Sequence, residues 1–256
     1  MISGLRRVLL YLYPIALVVI AWDVMVRLGW TRPLFLPSPL AVAEQFVVLV
    51  REREIVQPLV VSLYRAAGGT VLALLLGTLV GLAMARSHWA RWGIDPLVSF
   101  AFPAPKIAFM PIFILWFGID DLSKILLVAF TCVFPIIVAT YHGATAVSKN
   151  AVWSAQAMGT SERALLARVI FPATLPFIFS GLRVTVPVAL ITAYTAEMVA
   201  GGGGLGGALM YAQRFFQTPT VFVYIVLMLL SGVFLDQLML GLRRWIIPWQ
   251  PEEEAS

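Results

Sequence analysis

Six charged side chains stand inside runs that are otherwise apolar: Asp23, Arg65, Lys106, Arg183, Glu197 and Asp236. At the centre of a bilayer each costs about 2.5–3.5 kcal/mol, so each must face protein or water instead of lipid. Some can lie near helix ends, where long side chains reach the interface cheaply. Two arrangements answer the cost. Carboxylates such as Glu197 and Asp236 can pair with arginines across helices and fix a bundle. Alternatively, Arg65, Lys106 and Glu197 line a path for a polar solute, where the two cations suit an anion.

Nothing else in the chain is spaced for catalysis. His88 and His142 are the only histidines, far apart and without a third ligand at metal-binding spacing. There is no nucleophile elbow, no pair of catalytic carboxylates and no His–Cys pair. The single Cys132 cannot form an internal disulfide and reads as a packing residue. The glycine-rich stretch "GGGGLGG" at 201–207 lacks the lysine of a phosphate-binding loop, so it reads as a flexible turn or gate element. No Walker-type sequence occurs elsewhere. The expectation is a non-enzymatic chain with no metal and no directly bound cofactor.

The elements that must position these residues are apolar helices. The 256 residues are 61% hydrophobic and only 12% charged, with mean hydropathy +0.92. A soluble domain keeps about a quarter of its residues charged, so lipid is the solvent this composition suits. Runs near the roughly 20 residues of a helical span fall at 8–27, 58–85, 96–117, 125–144, 175–200 and 220–240. They are continuous instead of alternating, which excludes a β-barrel. The first run has no small-x-small cleavage site after it, so it reads as a retained span and not a signal peptide.

The net charge of +5 matters less than its placement. Arg6, Arg7, Arg86, Arg91, Lys149, Arg163, Arg168, Arg243 and Arg244 all fall on one side of this arrangement. By the positive-inside rule that side, with both termini, is cytoplasmic. On the other side, "FLPSP" at 35–39 offers Ser38 as an N-cap and Pro39 as the first helical residue. The helix that follows puts Phe46, Val47 and Val50 on one face. It is either an amphipathic helix lying in the outer interface or a docking surface for an external partner.

Two segments break the pattern. The run 96–117 contains Pro96, Pro103, Pro105 and Pro111, and proline removes a donor and collides with the preceding turn. This helix must be broken, for packing or to line a pathway, and Lys106 within it favours the second. The stretch "AVWSAQAMGTSERALLARVIFPATLPFI" at 151–178 interrupts an apolar chain with two short half-polar helices. Gly159 supplies the turn, Thr160 or Ser161 caps the second helix, and Glu162 sits in its first turn. Leu165, Leu166, Val169 and Ile170 make an apolar stripe while Arg163 and Arg168 stay wet. Pro172 and Pro176 are expected to end that helix. Periodicity alone leaves open whether the pair lies on its own bundle or presents a knob to a partner.

This stretch resembles the cytoplasmic signature loop of binding-protein-dependent ABC importer permeases: Glu-Ala-Ala, three residues, Gly, nine residues, Ile-x-Leu-Pro. Ala155, Gly159 and Pro172 match in place, with Val169 and Phe171 as apolar substitutes. Trp153 stands where the family usually has glutamate, and Ser154 where it has alanine. Further pieces, "PAPKIAFMPIFILWFGI" at 103–119, "SKI" at 123–125, "GLR" at 181–183, "AEM" at 196–198 and "GLG" at 204–206, resemble the branch that imports nitrate, taurine and aliphatic sulfonates.

The resemblance implies an all-α, type I ABC importer permease with about six spans. Residues 1–57 would form a first helix and an outer amphipathic segment, 58–249 the permease domain with a coupling loop at 149–176, and 250–256 a cytoplasmic tail. It implies a bacterial inner-membrane homodimer, two ATPase subunits that use ATP, and a periplasmic or lipid-anchored solute-binding protein. It offers no nucleic-acid partner. Ala155, Gly159, Thr160, Ser161, Leu165 and Pro172 would form the ATPase contact. The competing reading is an ion-coupled transporter or channel without an ATPase, against which the chain offers no evident inverted repeat.

Overall fold

The computed structural model describes the backbone of residues 2–249 and the side chains of 13–249. The tail 250–256 and the side chains of Arg6 and Arg7 lie outside the described residues. Among the described residues every regular element is helical: α1 (Ile2–Arg27), α2 (Pro39–Arg51), α3 (Val56–Arg86), α4 (His88–Ala101), α5 (Met110–Phe117), α6 (Asp121–Thr145), α7 (Lys149–Ala157), α8 (Glu162–Leu165), α9 (Phe171–Ala200), α10 (Gly204–Arg214) and α11 (Thr218–Ile246). A 3₁₀ turn, Lys106–Phe109, precedes α5, and a π turn, Leu166–Ile170, joins α8 to α9.

Small residues set how the long helices meet. Along α3, Gly69, Ala73, Gly77 and Gly81 recur every fourth position and form a flat seam against α6. A Cβ added at Gly69 would meet Val128 at 2.5 Å, at Gly77 Ile136 at 2.8 Å, and at Gly81 Thr140 at 2.7 Å. Small-residue seams let helix backbones approach closely in lipid, where packing replaces the hydrophobic drive. The contacts advance together along both chains, so α3 and α6 are parallel. Helix α9 runs the other way, with Gly143 of α6 against Thr174 and Phe177, and Gly181 against Ala139. Helix α11 returns antiparallel to α9, as the pairs Arg183–Asp236 (3.3 Å) and Tyr194–Ser231 (2.5 Å) require.

Because α3 and α6 are parallel, residues 87–120 must cross back between them. They do so in two pieces. Helix α4 and the segment Lys106–Phe117 meet at a 95° bend. At 1.5 Å per residue α4 is about 21 Å long and α5 about 12 Å, and neither alone crosses a hydrocarbon core of about 30 Å. The proline-rich run expected at 96–117 is therefore a broken crossing whose first half begins at His88. Among the described residues, four helices are long and apolar enough to span, or five with the bent pair. The shortfall from about six falls on α1, whose side chains are described only from Tyr13.

Two faces result. The basic face carries the ends of α3, α6 and α11, the starts of α4 and α9, and α7 and α8. The opposite face carries α2, α10, the ends of α5 and α9, and the starts of α3, α6 and α11. Ser38 caps α2, accepting from the Ala41 amide at 3.1 Å, with Pro39 at the first position as expected. The buried face of α2 is Val42 and Leu49, however, and Phe46, Val47 and Val50 point away from the bundle. Residues 42 and 49 are two helical turns apart and pack on α11, so the contact chose the i, i+7 stripe.

Candidate functional site

On the basic face, α7 and α8 form a hairpin with a buried root and an exposed tip. Ser148 caps α7 through the Ala151 amide at 3.2 Å. Its end is a Schellman turn: the Thr160 amide donates to the Ala155 carbonyl at 3.1 Å and the Gly159 amide to that of Gln156 at 2.9 Å. Gly159 has φ +79°, the left-handed conformation this turn demands. Ser161, not Thr160, caps α8, accepting from the Ala164 amide at 3.4 Å.

Ala155, Leu165 and Ile170 are buried together against Leu82 of α3, Ala144 and Val147. Glu162 forms an ion pair with Arg86 at the end of α3. Trp153, Met158 and Gly159 are exposed, Trp153 at 62% and Met158 at 79%. Arg163 and Arg168 are exposed as their positions in the stripe required. The hairpin is thus bolted to the long helices and solvated at its tip.

Pro172 and Pro176 do not end the second helix. Residues 162–200 run on as one element of 39 residues. The π turn at Leu166–Ile170, with the Phe171 amide donating to the Leu166 carbonyl, widens the ladder just before Pro172. Pro172 thereby enters at the first turn of α9, where its missing donor costs little.

This placement of the hairpin coincides with a family match. The model for the binding-protein-dependent transport system inner membrane component matches residues 55–248. The chain belongs to that family. It is 31% identical over 252 residues to the taurine transport system permease protein TauC of Escherichia coli (strain K12), covering 96% of this chain and 92% of that one. It is 34% identical over 247 residues to the permease SsuC of the same strain, named for aliphatic sulfonates transport, covering 96% and 94%. Its fold matches a chain of the inward-facing MetNI methionine ABC transporter with TM-score 0.62 at 13% identity, covering 74% and 96%. A second match, an amino acid ABC transporter with histidines, has TM-score 0.61 at 16% identity, covering 77% and 94%. The molecule is an ABC importer permease of the type I fold, embedded in the membrane.

At the opposite face the permease buries a polar cluster. Glu197, wholly inaccessible, accepts from Ser62 Oγ at 2.8 and 3.0 Å, from Arg65 Nη1 at 2.9 Å and from the Gly206 amide at 3.0 Å. Arg65 spends all its donors: Nε and Nη2 on Asp121 Oδ1 at 2.8 and 2.7 Å, Nη1 also on the Gly203 carbonyl at 3.3 Å, and Nη2 on that of Gly202 at 2.8 Å. A guanidinium has five N–H groups in a rigid fork, and here each has an acceptor.

The glycine run makes the cluster possible. Gly201, Gly202, Gly203 and Gly204 all have positive φ. A Cβ at Gly204 would overlap the Glu197 carboxylate. Expected as a flexible turn or gate element, the loop is packed around a buried charge. The carboxylate lies at the N-terminal end of α10, where the free amides and the helix dipole favour an anion. Beyond the loop an open cavity of about 390 Å³ is bordered by Gln57, Met198, Tyr211 and Arg214.

Of the three residues expected on a pathway, the structure joins Arg65 to Glu197 in the interhelical arrangement and leaves Lys106 elsewhere. Lys106 donates to the Phe102 carbonyl at the bend and lies 5.6 and 5.5 Å above the Phe102 and Phe134 rings. Arg183 and Asp236 likewise pair, at 3.3 Å. Sequence reasoning missed Ser62, Asp121 and Lys124. Lys124 is fully buried and donates to the Ile119 carbonyl at 2.5 Å. Its available signal was "DDLSK" at 120–124, which opens α6 beside the glycine run. Among the described residues no group of His, Cys, Asp and Glu is arranged to hold a metal.

Proposed function

We propose that this permease is the membrane subunit of an ATP-driven importer, and that the α7–Gly159–α8 hairpin is the handle its ATPase grips. One observation carries the reading: the hairpin tip is solvated while its root is locked to α3 and α6. A knob on a rigid stalk transmits displacement to the bundle, whereas a loosely hinged one would absorb it. Ala155 and Leu165 serve as the root, Gly159, Thr160 and Ser161 as the turn and cap, and Pro172 as the entry to α9. The permease domain is taken as 58–249.

The basic face is cytoplasmic in this reading, because Arg86, Arg91, Lys149, Arg163, Arg168 and Arg243 collect there. Both termini then lie in the cytoplasm of a bacterial cell with the protein in the inner membrane. Two permease copies, two ATPase subunits and a periplasmic or lipid-anchored binding protein complete the importer, and ATP is bound by the partners alone. The cargo is a small anion of the taurine, sulfonate or nitrate type, by likeness to TauC and SsuC. Arg65 lends this no support, since its donors are saturated.

Replacing Gly159 with leucine in the assembled importer tests the handle. The expected result is a folded complex whose ATPase no longer responds to loaded binding protein and whose uptake is lost. Normal uptake by Gly159→Leu would refute the role. Uptake must also stop on ATP depletion and survive collapse of the proton gradient.

A further inference from the structure

Of Arg65, Lys106, Lys124 and Arg183, only Arg65 and Arg183 form ion pairs with carboxylates among the described residues. Arg65 is saturated, Arg183 faces Asp236, and Lys124 is sealed among carbonyls at the opposite face. Lys106 has the Phe102 carbonyl and two aromatic faces, and no carboxylate within ion-pair distance among the described residues. Its depth follows from its neighbours. Phe134 stands at the middle of α6 (Asp121–Thr145), and Phe109, three residues after Lys106, meets Phe130 edge-to-face at 5.5 Å. The ammonium is therefore near the bilayer midplane.

A second observation concerns the backbone at the same place. Between α4 and the 3₁₀ turn the chain is non-helical over 102–105, where Pro103 and Pro105 contribute no N–H. Phe102, Pro103, Pro105 and Phe109 are all exposed, so this chain does not cover its own break. Irregular backbone at that depth persists only where protein covers it or where it lines a water-filled cavity. A charge there excludes lipid for the same reason. Both features point the same side of the molecule toward something polar.

Resting on the importer reading above, we infer that the break at Phe102–Phe109 lines the path between two copies of the permease, with Lys106 as its anion subsite at the midplane. An ammonium is a compact point charge with rotatable donors, suited to one oxygen of a sulfonate or similar oxyanion. A guanidinium would clamp such a group in two places, whereas a single charge-assisted bond holds it and lets it leave. The rings of Phe102 and Phe134 keep the ammonium in place while the subsite is empty. In a two-fold dimer the path carries two such lysines facing each other.

The lone cysteine makes the test clean. In a Cys132→Ser background, Lys106→Cys is the only thiol of the permease in the complete importer held in lipid nanodiscs. It is expected to react with 2-sulfonatoethyl methanethiosulfonate, a charged reagent that lipid excludes. An assembled complex whose thiol stays unreactive overturns the assignment.

In parallel, Lys106→Gln is expected to raise the KM for uptake of the transported anion at least tenfold, and Lys106→Arg to keep tight binding while slowing release and lowering kcat. Unchanged KM in Lys106→Gln overturns the subsite. So does a wild-type importer that consumes ATP yet carries only neutral or cationic solutes. Uptake without ATP would instead sink the importer reading, while the thiol measurement still decides whether Lys106 faces water.

Discussion

Glycines with positive φ shape a turn at both faces of the permease, and the two turns differ in what surrounds them. At the cluster face Gly204 backs onto the Glu197 carboxylate and Gly206 onto the Tyr194 carbonyl, so neither has room for a side chain. At the basic face Gly159 has nothing within 4 Å of a built Cβ. Both turns need positive φ, yet one is the lining of a buried ion-pair network and the other a bend in solvent. The contrast separates two demands on glycine: space next to a charge, and backbone freedom alone. The first makes a site stable; the second leaves a tip free to be held.

The largest expected effect lies in the network itself. Glu197→Ala strands Arg65 between Asp121 and two carbonyls with a buried charge half answered, and removing one partner of a buried pair costs about 3–5 kcal/mol. Thermal unfolding in detergent is expected to register this as loss of most folded protein, with Glu197→Gln intermediate. A Glu197→Ala protein as stable as the parent would mean the cluster is not what holds α3, α6, α9 and α10 together.

Next comes Gly204→Ala. Backbone strain at positive φ costs about 1–3 kcal/mol, and the added methyl displaces the carboxylate, so the upper end of that range is expected in the same assay. Gly77→Ala probes the α3–α6 seam, where the new methyl meets Ile136 at 2.8 Å and the Val133 carbonyl at 3.0 Å. Overpacking there is expected to cost about 1–3 kcal/mol. Gly159→Ala should cost only about 1–2 kcal/mol, the left-handed penalty without a clash. Equal losses for Gly159→Ala and Gly204→Ala would erase the distinction between the turns. The smallest effect is Ser161→Ala, about 0.5–2 kcal/mol for a lost helix cap, read as faster amide exchange at Ala164.

Much of this was legible along the chain. Ser38 and Pro39 announce α2, the apolar runs locate the long helices, and Gly159 with the serine caps marks the hairpin, because caps and turns are decided by a few adjacent residues. The prolines at 103 and 105 require a break, and there is one. The same reasoning misjudged Pro172 and Pro176. A proline predicts a missing hydrogen bond, but whether the helix stops or a π turn absorbs it depends on what the next turn packs against, here Thr174 and Phe177 on Gly143.

The chain order by itself fixed what each segment is: membrane-length helices, a broken crossing, a capped hairpin, and six charges that lipid would not tolerate. Only the tertiary structure decided which of those charges answer one another. Arg65 and Glu197 are 132 residues apart in sequence, and no local pattern distinguishes Arg65, whose five donors are all used, from Lys106, which has no carboxylate partner among the described residues and stands at an open break. The reason is physical. Helix propensity and capping act over a turn or two, whereas a buried charge is satisfied by whichever neighbours the packing of α3 on α6 and α9 brings within about 3 Å.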